Sequence, residues 1–171
     1  MQHGQPRSSR VLLLLACLAT VGCDRISKHA AASLLTGAAD RSFLGDTIRL
    51  SYAENSGGFL SIGADLPLER RLIVFTIGTG LMLAGLAFIA IRSRWQGARL
   101  LGAALVLAGG ASNLIDRLAT GVVVDFMNVG VGPLRTGVFN VADVAIMGGV
   151  VLIAFARGQR GDHPRGAEPR R

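Results

Sequence analysis

The chain has 171 residues, of which 50% are apolar, 17% charged and 5% aromatic, with 23 glycines and a net charge of +7. An average soluble domain is roughly 25% charged, so the chain is too apolar for that class, and it is too rich in Leu, Ile and Val to be disordered. Cys17 and Cys23 are its only cysteines, which excludes a disulfide scaffold, and the length predicts one domain.

The first apolar run, Val11 to Cys23, is thirteen residues long. That is short for a span and the size of a signal-peptide core. Extension through the next helical turn predicts a first span over residues 11–28. Residues 29–71 are then an outer segment with structure of its own. In it, Ile48, Leu50 and Tyr52 alternate with Thr47, Arg49 and Ser51, the period of a half-buried strand. Asn55-Ser56-Gly57-Gly58 reads as a turn, Phe59 to Ile62 as a returning strand, and Asp65 with Pro67 as the start of a helix. Leu72 to Ile91 is an uncharged run of twenty residues between Arg71 and Arg92. A bilayer core takes about 20 helical residues, so this is the second span, at 72–91. The third is placed at 100–115 and ends on Asp116-Arg117. The segment 116–137 contains the apolar run Val122 to Phe126 and a turn at Gly130 to Pro133. The fourth span, 138–156, holds one charge, Asp143. Residues 157–171, rich in Gly, Pro and Arg, read as a disordered basic tail. The glycines of the spans (Gly78, Gly80, Gly85, Gly109, Gly110, Gly148, Gly149) are expected to let helices approach closely, as packing within lipid requires.

The charge is unevenly placed. Arg7 and Arg10, the Arg92-Arg94-Arg99 link and the tail carry +2, +3 and +3, whereas 24–71 and 116–137 each sum to zero. Basic segments stay cytoplasmic, so both termini are expected inside and both neutral segments outside. No basic stripe interleaved with aromatics points to nucleic acid.

Ionisable groups in spanning helices are expensive and usually face an interior. Asp143 is one, about 7–8 Å below the outer end of its span at ~1.5 Å per residue. Asn140 shares its face. Asn113 and Arg117 lie i, i+4 near the outer end of the third span, and Asp125 follows just outside that end. All converge on one level of the membrane. Two carboxyls meeting in a half-dry place cannot both ionise and share one proton. One can then activate water while the other polarises a peptide carbonyl. Asp116, by contrast, is expected to pair with a nearby Arg. The scattered His3, His29 and His163 offer no metal spacing, no Ser lies in a nucleophile elbow, and no cofactor is expected.

Three stretches, Asn113-Leu114-Ile115-Asp116-Arg117, Gly121 to Phe126 and Phe139-Asn140-Val141-Ala142-Asp143, resemble those of the bacterial lipoprotein signal peptidase (signal peptidase II) family. Asp24-Arg25-Ile26-Ser27-Lys28 is similar to the family's Asp-x-x-Thr-Lys element, and Asn55-Ser56-Gly57-Gly58-Phe59 to its Asn-x-Gly-Ala-Ala-Phe element. The resemblance covers residues 11–156 and implies an all-α membrane protein, four transmembrane helices with a small extracytoplasmic β-cradle, in the bacterial inner membrane. It implies an aspartic endopeptidase that cuts prolipoproteins before the diacylglyceryl-modified cysteine. Asp125 and Asp143 would be the catalytic pair. Asn55, Asn113, Arg117 and Asn140 would position the substrate or the pair, and Asp24 would support the site. Prolipoproteins and membrane phospholipid are the partners implied, for a chain expected to be a monomer. Ser112, Ser27 and Gly58 depart from the family's usual residues, as do Gly130 and Gly132. Two other readings stand beside this one. Arg7, Arg10 and Val21-Gly22-Cys23 make a fair lipobox, with the chain itself lipidated at Cys23. Alternatively, Asp125 and Asp143 serve as the proton relay of a small transporter.

Overall fold

The structure, a computed structural model, describes residues 7–58, 63 and 65–157. Among these, the elements in order are α1 (Arg7–Leu35), β1 (Arg41–Phe43), β2 (Ile48–Asn55), α2 (Leu68–Arg71), α3 (Thr79–Arg92), α4 (Gly97–Thr120), β3 (Val123–Val131), β4 (Leu134–Arg135) and α5 (Val141–Arg157). Leu72–Gly78 forms π-helical turns that join α2 to α3 in one continuous rod. Two helical stretches, Glu69–Arg92 and Gly97–Thr120, are long and apolar enough to cross a membrane, and Val141–Ala156 is a shorter apolar helix. The strand expected at 59–62 and the tail from 158 lie outside the described residues.

Of the helix boundaries that differ from expectation, three bear on the site. The first helix runs past residue 28 to Leu35, because residues 29–35 are mostly Ala and Leu, strong helix formers. Its 29 residues reach about 44 Å at ~1.5 Å per residue, well beyond a hydrocarbon core of roughly 30 Å. The third helix continues to Thr120 and stops at Gly121, whose φ of 79° turns the chain into β3 while its N–H bonds the Arg117 carbonyl at 3.0 Å. The last helix begins at Val141, three residues later than expected.

Helices α4 and α5 are the closest pair. A Cβ on Gly102 would come within 2.6 Å of the Gly149 carbonyl oxygen, one on Gly149 within 2.5 Å of the Gly102 oxygen, and one on Gly109 within 2.6 Å of the Ala142 oxygen. These obstacles are backbone and cannot swing aside. Gly110 meets the Leu83 side chain on α3. The other expected packing glycines behave differently: Gly85 and Gly148 face open space, and Gly78 and Gly80 make only ordinary contacts. Gly109→Ala is therefore expected to lower stability by about 1–3 kcal/mol, the usual range for overpacking, read as thermal unfolding in detergent. Gly148→Ala is expected to raise stability by about 0.5–1 kcal/mol, since its Cβ meets open space and alanine is the better helix former.

The four strands form one antiparallel sheet in the order β1-β2-β3-β4. It sits where the ends of α1 and α4 meet the start of α5. Phe126 on β3 buries against Ala31 and Leu35 of the α1 extension, with Leu50, Tyr52, Met127 and Val141 around them. That contact explains why the extra helical turns persist. Between β2 and β3 the register runs Leu50↔Met127 and then Ala53↔Asp125, so Ser51 and Tyr52 together oppose Phe126. Such a bulge bends and re-aims a strand. Beyond it Val123, Asp125 and Asn55 are all buried, and Asn55 and Asp125 are diagonal neighbours across the two strands.

Candidate active site

Asp143 occupies the first turn of α5, not a position five residues inside a span. Asn140 immediately precedes the helix and forms a capping box with Asp143. The Asp143 N–H donates to Asn140 Oδ1 at 2.9 Å, and the Asn140 N–H donates to Asp143 Oδ2 at 3.2 Å. The next free N–H of the helix, on Ala142, donates to Asp24 Oδ1 at 2.8 Å. The start of α5 is thereby held by three side chains that satisfy its otherwise unpaired donors.

Around this helix end, three asparagines aim their amides at the two aspartates. Asn140 uses its carbonyl on the cap, so its Nδ2 points outward and donates to Asp125 Oδ1 at 2.6 Å. Asn55 uses its carbonyl on the Gly57 N–H at 2.9 Å, and its Nδ2 donates to Asp125 Oδ2 at 2.8 Å. Asn113 uses its carbonyl on Lys28 Nζ at 2.7 Å, and its Nδ2 donates to Asp143 Oδ1 at 2.9 Å. In each case a neighbour that can only donate fixes which end of the amide faces the carboxyl. Asp125 and Asp143 are 2% and 8% exposed. Both line one cavity of about 320 Å³ together with Asn55, Asn113, Arg117 and Asn140, against an apolar wall that includes Phe75, Met82, Leu83 and Met147. Burial pushes the Asp125 carboxyl up to about 6; Asp143 adds to the rise, while Asn55, Asn140 and Lys28 oppose it. Arg117 spans the cavity rim, donating from Nη2 to the Gly57 carbonyl at 2.6 Å.

Beneath the cavity lies a buried ionic cluster. Lys28 is 5% exposed and its ammonium has three acceptors: Asp24 Oδ2, Asp116 Oδ2 and Asn113 Oδ1, each at 2.7 Å. Asp24 is fully buried and also accepts from Ser112 Oγ at 2.7 Å. Asp116 pairs with Arg25 as well, in keeping with the expectation that it serves an ion pair. The hydroxyl of Ser112, one of the departures from the family pattern, thus has a definite partner. Asp24 joins α1, α4 and α5 at a single carboxylate. Lys28 is the residue that sequence reasoning undervalued. Its signal was present, since Asp24 and Lys28 are spaced i, i+4 on a helix and so share a face. Asp116→Asn is expected to lower the unfolding temperature while any turnover by the folded chain stays near wild type. A rate loss exceeding the stability loss would contradict this.

Residues 16–157 match the family described as signal peptidase (SPase) II. Lipoprotein signal peptidases of Mycolicibacterium smegmatis and Mycobacterium tuberculosis are each 32% identical, over 87% and 88% of this chain and 62% and 72% of their own lengths. That of Mycobacterium avium is 33% identical over 89% of this chain and 81% of its own. The chain therefore spans less than two thirds of the M. smegmatis relative. Two solved structures of bacterial membrane enzymes superpose with TM-scores of 0.75 and 0.72 at 23% and 24% identity, over 92% and 87% of this chain and 94% of each of theirs; they share its fold. With a family match over most of its length, the chain belongs to the signal peptidase II family.

Proposed function

We propose that the chain is an intramembrane aspartic endopeptidase that removes signal peptides from prolipoproteins, cutting before the diacylglyceryl-modified cysteine. The observation that carries this reading is the pair Asp125 and Asp143 on one half-dry cavity, with Asn140 bonded to both. One carboxylate takes a proton from water as the hydroxyl oxygen bonds to the peptide carbonyl carbon. The other carboxyl gives its proton to the carbonyl oxygen. As the C–N bond breaks, the first carboxyl returns its proton to the departing amine, and the second carboxylate takes back a hydroxyl proton as the carbonyl re-forms, which restores both groups. Asn55, Asn113 and Asn140 hold the two carboxyls in place, and Asp24 holds the start of α5. Arg117 has an enclosed Nε–H with no hydrogen-bond partner, which suits it to a substrate backbone carbonyl.

In this reading residues 1–156 are one membrane domain with four spans, both termini cytoplasmic, in the bacterial inner membrane. The active site then lies near the outer leaflet and the sheet is extracytoplasmic. The charge distribution supports it, as do large apolar side chains that face outward on the helices, such as Leu12, Leu81, Phe88 and Phe155, each more than 60% exposed. The chain acts as a monomer among phospholipids. Neither rival is favoured. α1 passes unbroken through Cys23, and the buried Asp24 and Lys28 beyond it tie the helix to α4. A proton relay would place acids near the midplane, whereas Asp143 is in the first turn of its helix.

The test is cleavage of a diacylglyceryl prolipoprotein by the purified chain in detergent. Release of the signal peptide that is insensitive to chelator and to serine-directed reagents is expected; inhibition by either overturns the mechanism. The rate is also expected to fall as pH rises past the upper titration of the pair. Asp125, pushed up to about 6, sets the region, though both titrations belong to the pair. The sign for stability is the same. The folded chain holds this proton more tightly than the unfolded one, so the contribution is complete below the ordinary carboxylate value near 3.8 and is lost as pH rises through about 6. A rate that climbs steadily from pH 5 to 9 excludes the assignment.

A further inference from the structure

A second cavity opens between α3 and α4 at the end of the bundle remote from the aspartates. It measures about 360 Å³, and its walls include Ala87, Ala90, Ala103, Ala104 and Leu107, with Arg94 and Trp95 at the mouth. Among the described residues no carboxylate lines it. The link it abuts, residues 92–99, carries Arg92, Arg94 and Arg99 and no acid. Arg99 stacks its guanidinium on the Trp95 ring at 4.1 Å from the centroid, and its enclosed Nε–H has no hydrogen-bond partner.

The backbone at this mouth breaks a local preference. α3 ends with paired bonds from the Trp95 N–H to the Ala90 carbonyl (3.1 Å) and from the Arg94 N–H to the Ile91 carbonyl (3.2 Å). This pattern places Arg94 at the left-handed position that glycine normally fills, and Arg94 has a φ of 50°. A side chain here strains the backbone, and what this one adds is a cation at the rim of an apolar slot.

We infer that this cavity binds an anionic phospholipid, with one acyl chain along the alanine walls and the phosphate held by Arg94 and by Arg99 on Trp95. Apolar walls suit a hydrocarbon chain, and an indole belongs at headgroup level. Basic pockets between spanning helices are known to hold lipid headgroups. An anionic lipid fits better than a zwitterionic one, since no acid is present to meet a headgroup ammonium. The proposal rests on the proposed topology only for the leaflet, which is the cytoplasmic one.

The experiment uses the full chain purified in neutral detergent, with native mass spectrometry and thermal unfolding against phosphatidylglycerol, phosphatidylcholine and inorganic phosphate. Phosphatidylglycerol is expected to be retained and to raise the unfolding temperature, with phosphatidylcholine and inorganic phosphate without effect. Each arginine near a lipid surface contributes about fivefold in affinity. Arg94→Gly and Arg99→Gln should therefore each weaken phosphatidylglycerol binding about fivefold, and Arg94→Lys should retain most of it. Arg94→Gly should also unfold no earlier than wild type without lipid, because glycine accepts the left-handed backbone. A merely structural arginine predicts the opposite. Equal retention of the two lipids, competition by inorganic phosphate, or unchanged phosphatidylglycerol affinity in Arg94→Gly overturns the site. Prolipoprotein cleavage by Arg94→Gly in the same detergent is expected to equal wild type, so the outcome is independent of whether the peptidase reading stands.

Discussion

Asp125→Asn and Asp143→Asn are each expected to reduce prolipoprotein cleavage by at least about 10³-fold, within the range that a positioned acid or base supplies. Neither substitution should prevent folding. An asparagine is close to the shape of the aspartate it replaces, and the uncharged group is less costly to bury. The double variant is expected to be no slower than either single one, because a pair that shares a proton fails as a unit. Each new amide must set its NH2 against one donor that the carboxylate accepted from, so both variants are expected to fold with an unfolding temperature lowered by about 2–10 °C. Retention of more than a tenth of the wild-type rate by either would remove that carboxyl from the chemistry.

Lys28→Met is expected to be strongly destabilising. Removing one partner from a buried ion pair costs about 3–5 kcal/mol, because the remaining charge stays buried without compensation. Here Asp24, which is fully buried, would keep only the Ser112 hydroxyl and the Ala142 N–H. Asp116 would keep Arg25. Adding Asp24→Asn to Lys28→Met removes the stranded charge and should restore much of the loss, which a double-mutant cycle of unfolding measurements reads directly. Lys28 also holds the Asn113 carbonyl. Without it only the longer bond from Asn140 Nδ2, at 3.3 Å, orients that amide, so the folded fraction of Lys28→Met should have lower turnover as well. A double variant no more stable than the single one would show that Asp24 is not the stranded group.

Much of this architecture could be read from residue order. The long uncharged runs at 72–91 and 100–115 lie inside helices because apolar length alone specifies them. The alternation at Ile48 to Tyr52 foretold β2, and the turn at Gly130 to Pro133 foretold the reversal between β3 and β4. Asp125 and Asp143 stood out because a carboxylate beside a span must be compensated, and both line one cavity. What stayed hidden was set by tertiary contact. The stretch after residue 28 falls outside a span judged by apolar length, yet its Ala and Leu favour a helix and the sheet it packs against holds it helical to Leu35. Asp24 and Lys28 cancel in any charge count, so a tally of net charge passes over them, although their burial makes them the junction of three helices. The register shift opposite Phe126 left no mark in the strand pattern, and it is what turns Asn55 and Asp125 inward.

The carboxylate of Asp24 lies on α1, and the N–H group it caps lies on α5, which is synthesised later. Between them in time, Asp125 emerges without Asn140, and Asn113 without Asp143. A nascent chain that lacks α5 thus carries one carboxyl of the proposed pair and only part of what orients it. If Asp125 and Asp143 are the proposed pair, competence waits for α5, so a copy stalled before α5 is expected to be inert.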